Sequence, residues 1–237
     1  MNDFLPIHPT IHRLDLGAVR LPAWHPRAAD EYSEIFAYVV EHPDGNILFD
    51  CGCADDSDLI NSLYQPNVRP LEAALSEFNL RIADIASVVL SHLHFDHCGQ
   101  LRSVRGRPTF VQMAEIEAAQ MPNYTVPDWA TVSDEDRRIV VGDEKIAPGL
   151  EIIASPGHSP GHQCLVIRGD SRTTILGGQC CYCTSSFERS SVEQDNLFNE
   201  GWNEVALDSI KKLRSLMPDR LLLSHDRTDW TAALSVN

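Results

Sequence analysis

The sequence contains no apolar run approaching the roughly 20 residues that a membrane-spanning helix requires, so no membrane partner is expected. Its first residues, MNDFLPIHPTIHRLDLG, lack the basic stretch and apolar core of a secretion signal. A cytoplasmic location is therefore expected. Basic charge is also scarce: 19 Lys and Arg stand against 34 Asp and Glu, for a net charge of −15 with no basic run. Nucleic-acid backbones are held by clustered Lys and Arg, which excludes a nucleic-acid partner and disfavours phosphodiester cleavage. The seven cysteines are odd in number, and only Cys180 and Cys183 have C-x-x-C spacing, without a second pair to complete a four-thiolate zinc site. Without a secretion signal they read as reduced thiols, small buried residues beside a site, and Cys180, Cys181 and Cys183 receive no role. Repeats and low-complexity segments are absent. With 237 residues, 43% hydrophobic and 22% charged, the chain can bury a core without staples and reads as one domain over 1–237.

What the chain does contain is a succession of short strands and helices. Residues 34–40 alternate, with Ile35, Ala37 and Val39 on one face, and His42-Pro-Asp-Gly45 turns them into a second strand over 46–49. Pro70 opens a helix through LEAALSEFNL. The apolar run 86–90 is a buried strand. Residues 109–111 form another strand, 114–120 a helix, and 121–136, rich in Pro, Asn, Asp and Ser, a long loop over the site. Strands follow over 138–141, 150–154, 163–168 and 173–176, then an amphipathic helix over 203–216 stopped by Pro218, and a last strand over 220–223. Two packed sheets with helices outside accommodate this order.

Histidines are concentrated where strands end. Directly after the strand at 86–90 comes SHLHFDH at 91–97, with His92, His94, Asp96 and His97. In an extended segment residues two apart share a side, so His92, His94 and Asp96 can converge, while His97 must come from a turn. Imidazole and carboxylate together suit zinc, iron or manganese rather than calcium. A bound metal brings the pKa of water to about 7 and supplies hydroxide at neutral pH, which points to a metal-dependent hydrolase. A second cluster, SPGHSPGH at 155–162, holds His158 and His162; Pro160 and Gly161 forbid one helix face, so one is expected to ligate and the other to orient. His225 sits at a strand end beside Asp226. His8, His12, His25 and His42 lie in loop-like contexts and read as surface residues.

SHLHFDH, PGHSPGH at 156–162, TTILGG at 173–178, LSHD at 223–226 and the Asp50-Cys-Gly52 turn together resemble the metallo-β-lactamase superfamily. HLHFDH, PGHSPGHQ, a tyrosine soon after the strand at 173–176, and SHD are most similar to its N-acyl homoserine lactonase branch. The resemblance implies a four-layer αββα sandwich, an α/β fold, with the metal site along one sheet edge. It further implies one metal on His92, His94 and His158, a second on Asp96, His97 and His225, and Tyr182 as the residue that assists carbonyl binding. Asp96 would also pass a proton to the leaving oxygen. Where the family places a bridging aspartate, this chain has Gln179, a neutral carboxamide with one oxygen donor. One compensating charge is lost, so the second metal should bind more weakly, or a single metal is used; Asp195 on the following loop is a minor alternative source. Zinc is the expected metal, with iron or manganese as alternatives. The expected reaction is opening of a small-molecule lactone or ester, with a thioesterase or glyoxalase II-like hydrolase as the alternative and a non-catalytic metal sensor as an alternative of another class. Trp24, Tyr32, Tyr124 and Trp129 are candidate walls of an apolar acyl pocket. A homo-oligomer is compatible with the sequence.

Overall fold

The computed structural model describes residues 9–25, 27–192 and 202–232. Its strands form two sheets, one from each half of the described chain. The first contains β1 (Ile11–Arg20), β2 (Tyr32–Val40), β3 (Asn46–Phe49), β4 (Asn67–Val68), β5 (Ile85–Val89), β6 (Thr109–Gln112) and β7 (Arg137–Val140), in the order β4-β1-β2-β3-β5-β6-β7. The second contains β8 (Glu144–Ala147), β9 (Leu150–Ala154), β10 (Gln163–Arg168), β11 (Thr173–Leu176), β12 (Arg220–Leu222) and β13 (Trp230–Thr231), in the order β13-β12-β11-β10-β9-β8. The helices are α1 (Asp58–Tyr64), α2 (Leu71–Ser76), α3 (Phe95–Cys98), α4 (Met113–Ala118), α5 (Thr184–Arg189) and α6 (Trp202–Ser215).

The period-2 pattern of β2 explains the layering. Ile35, Ala37 and Val39 point outward into a cluster with Ile60 of α1 and Leu71 and Leu75 of α2. Phe36, Tyr38 and Val40 point inward, where they meet Leu150 and Ile152 of β9, Leu165 and Ile167 of β10, and Leu222 of β12. The outer face of the second sheet sends Cys164, Val166 and Ile175 against Phe187 of α5 and Ile210 and Leu213 of α6. Three apolar interfaces separate four layers, helix–sheet–sheet–helix, which is the expected αββα sandwich. Burial is nearly complete at each interface, with Phe36, Leu165 and Ile210 at most 1% exposed. Among the described residues no helix is long and apolar enough to cross a membrane.

β3, β5, β6 and β7 run parallel to one another, as do β11 and β12. Their chain-forward ends reach a common edge, where backbone hydrogen bonds join the two sheets: Gln163 N–H to the Ser91 carbonyl at 2.8 Å and Phe36 N–H to the Ser224 carbonyl at 2.8 Å. The clustered histidines leave the strands along this edge.

Candidate metal centre

The chain is extended through His94, whose ψ is 154°, and turns helical at Phe95, so Asp96 and His97 lie on α3. Extended alternation therefore stops two residues short of Asp96, and Asp96 does not join His92 and His94 as the spacing suggested. Instead the potential ligand atoms form two groups, His92 with His94 and His158, and Asp96 with His97 and His225, the atoms of each group lying within 4.8 Å of one another. In the first, His94 Nδ1 lies 3.1 Å from His92 Nε2 and 3.0 Å from His158 Nε2. In the second, the His97 and His225 Nε2 atoms are 3.1 Å apart, and Asp96 Oδ2 is 3.8 and 3.5 Å from them. Gln179, which follows β11, directs Oε1 toward the same two nitrogens, at 3.3 Å from His97 and 3.2 Å from His225.

Hydrogen bonds behind the rings fix their tautomers. His97 Nδ1 donates to Asp50 Oδ2 at 2.8 Å, and His225 Nδ1 donates to the Glu34 carbonyl at 2.6 Å. In their neutral forms both rings would then turn an Nε2 lone pair into the gap between them, and two lone pairs 3.1 Å apart require a shared proton or a metal ion. His92 Nδ1 likewise rests on Ser91 Oγ at 2.9 Å, and that hydroxyl donates to Asp50 Oδ2 at 2.8 Å. Neutral imidazoles backed by carboxylates and carbonyls are the usual surroundings of a metal-ligating histidine. The residues present thus fit a divalent metal.

Electrostatics agree with the geometry. Burial, reinforced by neighbouring imidazoles, holds His92 and His158 well below the ordinary histidine range. Burial also takes His94 and His225 down to about 4, partly offset by Asp96. His97 is the exception: burial pulls it down, but Asp50 and Asp96 on either side outweigh that and raise it. Asp96 is itself partly buried, which pushes its carboxyl up, yet attraction to His97, His225 and His94 keeps it below the usual value.

His162, the other histidine of its cluster, joins neither group. Its Nδ1 is 3.1 Å from the Ser155 carbonyl, and its Nε2 accepts the Gln179 backbone N–H at 3.0 Å. Two buried carboxylates escaped sequence reasoning. Asp50 receives Ser91 N–H at 2.7 Å and Ser224 Oγ at 3.3 Å besides the His97 ring. Glu115, on α4, receives Leu93 N–H at 2.8 Å, Ser159 Oγ at 2.7 Å, Gly161 N–H at 3.0 Å and the Tyr124 hydroxyl. The Asp50-Cys-Gly52 turn was the only signal for the first; a lone glutamate in a helix gave none for the second.

Both groups open onto a cavity of about 1160 Å³ lined by His94, Asp96, His158, Gln179 and His225, with Tyr182 among its walls. Tyr182 stacks on His225 with ring centroids 6.2 Å apart and meets His158 edge-on at 6.1 Å. The Arg27 guanidinium lies over its ring at 4.6 Å. Trp24 and Tyr124 line the cavity as expected, and residues 121–136 contribute to its walls. Tyr32 is exposed instead, and Trp129 is buried beneath the loop with its indole N–H on Asp56 Oδ1 at 3.0 Å. His25 and His42 correct the surface reading. His25 lines the cavity beside Tyr182, and His42 is buried, capping the hairpin turn through Asp44 N–H and reaching the Pro148 carbonyl at 3.0 Å. His12 is partly buried and pairs with Glu41; His8 and Asp195 lie outside the described residues. Six of the seven cysteines are buried and Cys183 is partly so, and burial raises the Cys51, Cys53, Cys98 and Cys164 thiols.

Residues 33–178 match the model of the metallo-beta-lactamase superfamily. The chain is 27% identical to an N-acyl homoserine lactonase of Bacillus cereus over 195 residues, covering 77% of this chain and 76% of that one. It superposes on an N-acyl homoserine lactone hydrolase, solved with the product N-hexanoyl-L-homoserine at its catalytic metal centre, with a TM-score of 0.76 at 23% identity, over 94% of this chain and 95% of that one. A dizinc quorum-quenching lactonase, AidC, superposes with a TM-score of 0.71 at 15% identity, over 98% and 94% of the two chains. At those identities the two structures share the fold.

Proposed function

The chain belongs to the metallo-β-lactamase superfamily, and from that premise we propose that it is a metal-dependent hydrolase that opens the ring of an N-acyl homoserine lactone. The observation that carries this reading is the placement of two ligand groups and a tyrosine on the wall of one largely apolar cavity. The curated relatives, named N-acyl homoserine lactonases, support the substrate class. Zinc is the proposed metal, in keeping with a dizinc structural neighbour and a donor set of imidazoles and one carboxylate.

His92, His94 and His158 would hold one ion, and Asp96, His97 and His225 the other, with Gln179 Oε1 as a neutral donor beside the second. Bound there, an ion would supply Lewis acidity and lower the pKa of water toward neutrality. The chain's own residues do the rest. Asp96, a carboxylate kept ionised by its imidazole neighbours, takes the proton of the attacking water and delivers it to the ring oxygen as that oxygen leaves, giving a hydroxy acid. Tyr182, on the wall of the cavity, would donate its phenol O–H to the carbonyl oxygen as charge develops there. Trp24, Tyr64, Phe95 and Met121 offer apolar wall for the acyl chain and exclude water.

A panel of N-hexanoyl homoserine lactone, an acyl thioester and a phosphodiester, assayed with metal content measured in parallel, tests the reading. Lactone opening that rises with metal occupancy is expected; hydrolysis of the thioester without the lactone overturns the substrate assignment. Tyr182→Phe should lower kcat about tenfold, less than the loss of a sole oxyanion donor because an ion shares that charge. An unchanged kcat removes the phenol from the mechanism.

A further inference from the structure

Glu115 is fully buried, and its two oxygens serve different stretches of chain. Oε1 accepts the N–H of Leu93, the residue between His92 and His94, at 2.8 Å, together with the Tyr124 hydroxyl. Oε2 accepts Ser159 Oγ at 2.7 Å and Gly161 N–H at 3.0 Å, from the loop that carries His158. One side chain therefore joins the backbone segments that present all three ligands of the first group. The same loop also packs directly onto α4: a Cβ at Gly161 would lie 2.2 Å from the Glu115 backbone nitrogen. Asp50 stands directly behind the second group, through His97 Nδ1 and the Ser224 hydroxyl next to His225, and reaches the first only by way of Ser91, beside His92. Burial raises the Glu115 carboxyl, while the four donors pull it back toward the ionised form.

We infer that Glu115 is a positioning residue that sets the affinity of the first ligand group for its metal, by clamping the His92–His94 segment to the His158 loop. The inference rests on the proposal that His92, His94 and His158 hold an ion. A glutamine at this position has the same shape but only one accepting oxygen. The hydroxyls of Tyr124 and Ser159 can turn to accept from a carboxamide NH2, whereas the N–H groups of Leu93 and Gly161 cannot. Whichever way the amide faces, one backbone N–H is set against another donor, and one ligand segment is released. Residues that orient metal ligands from behind typically contribute 10- to 100-fold to affinity.

The experiment compares two single-site backgrounds, His225→Ala, which leaves the first ligand group whole, and His94→Ala, which leaves the second. Each is prepared with and without Glu115→Gln, and zinc retention is titrated with a chromophoric chelator while circular dichroism reports folding. In the His225→Ala background, Glu115→Gln should weaken zinc retention about 10- to 100-fold; in the His94→Ala background the change should stay below about twofold. A general loss of structure would move both. Should the Glu115→Gln chains fail to fold, Ser159→Ala removes one donor and keeps the carboxylate; it should loosen zinc by about tenfold or less in the His225→Ala background alone. Equal losses in both backgrounds, or none in the first, overturn the inference while leaving the metal site standing. If the His225→Ala chain with Glu115 intact retains no zinc, the metal assignment of the first group fails and takes the inference with it.

Discussion

Replacing His94 or His158 by alanine is expected to lower lactone turnover by at least about 10³-fold. His94 is the middle member of its group, with its Nδ1 at 3.1 and 3.0 Å from the two flanking Nε2 atoms, so its loss leaves two nitrogens with nothing between them. His158 is the only member of that group supplied by the second sheet, and without it the remaining pair belongs to a single three-residue stretch of chain. Charge stabilisation by a bound metal supplies several kcal/mol of a hydrolytic barrier, and each 1.36 kcal/mol is a factor of ten in rate. Measured kcat/KM with metal content on the same samples checks this. Either variant keeping a tenth of the parent activity would remove the first group from catalysis.

The opposite effect is expected at Gln179. Gln179→Glu keeps the shape of the side chain and adds a negative charge where Oε1 now faces His97 and His225 at 3.3 and 3.2 Å. Beside a divalent ion held by those nitrogens even a well-screened charge would be worth a few kcal/mol, part of which is spent on burying the carboxylate. A 10- to 100-fold gain in retention of the second ion is the expected net result. Dialysis against graded chelator, followed by elemental analysis, counts the ions. If the parent chain already retains two ions as tightly as the variant, the missing charge has no consequence for the second group.

The four layers and the interior strands were legible because a strand buried on one or both faces leaves a plain pattern: 46–49, 150–154, 163–168 and 173–176 appear in the structure with those limits. β1 was not legible. Its alternation of Leu14 and Leu16 breaks at a bulge between Asp15 and Ala18, where Gly17 has a φ of 99°, and Val19 resumes the buried face out of phase. The helix starting at Pro70 ends at Ser76, short of its apolar pattern, because Phe78 and Leu80 pack against the outer core from the turn that follows. At the site, the histidines announce themselves by type and spacing. The carboxylates behind them do not, because all the donors that define Asp50, and all but Tyr124 of those that define Glu115, lie tens of residues away in the chain. Alternation placed Asp96 with His92 and His94; a single change of ψ after His94 puts it with the other group.

The proposed ligands leave the first sheet at His92, His94, Asp96 and His97 and the second at His158, Gln179 and His225, so any cation they share would also cross-link the two halves of the sandwich. Unfolding must then release it, and a cation present at 100 times its dissociation constant adds about 2.7 kcal/mol to the folded state. Resistance to heat or denaturant thus becomes a property of the buffer as much as of the chain, and two preparations are comparable only at equal free metal.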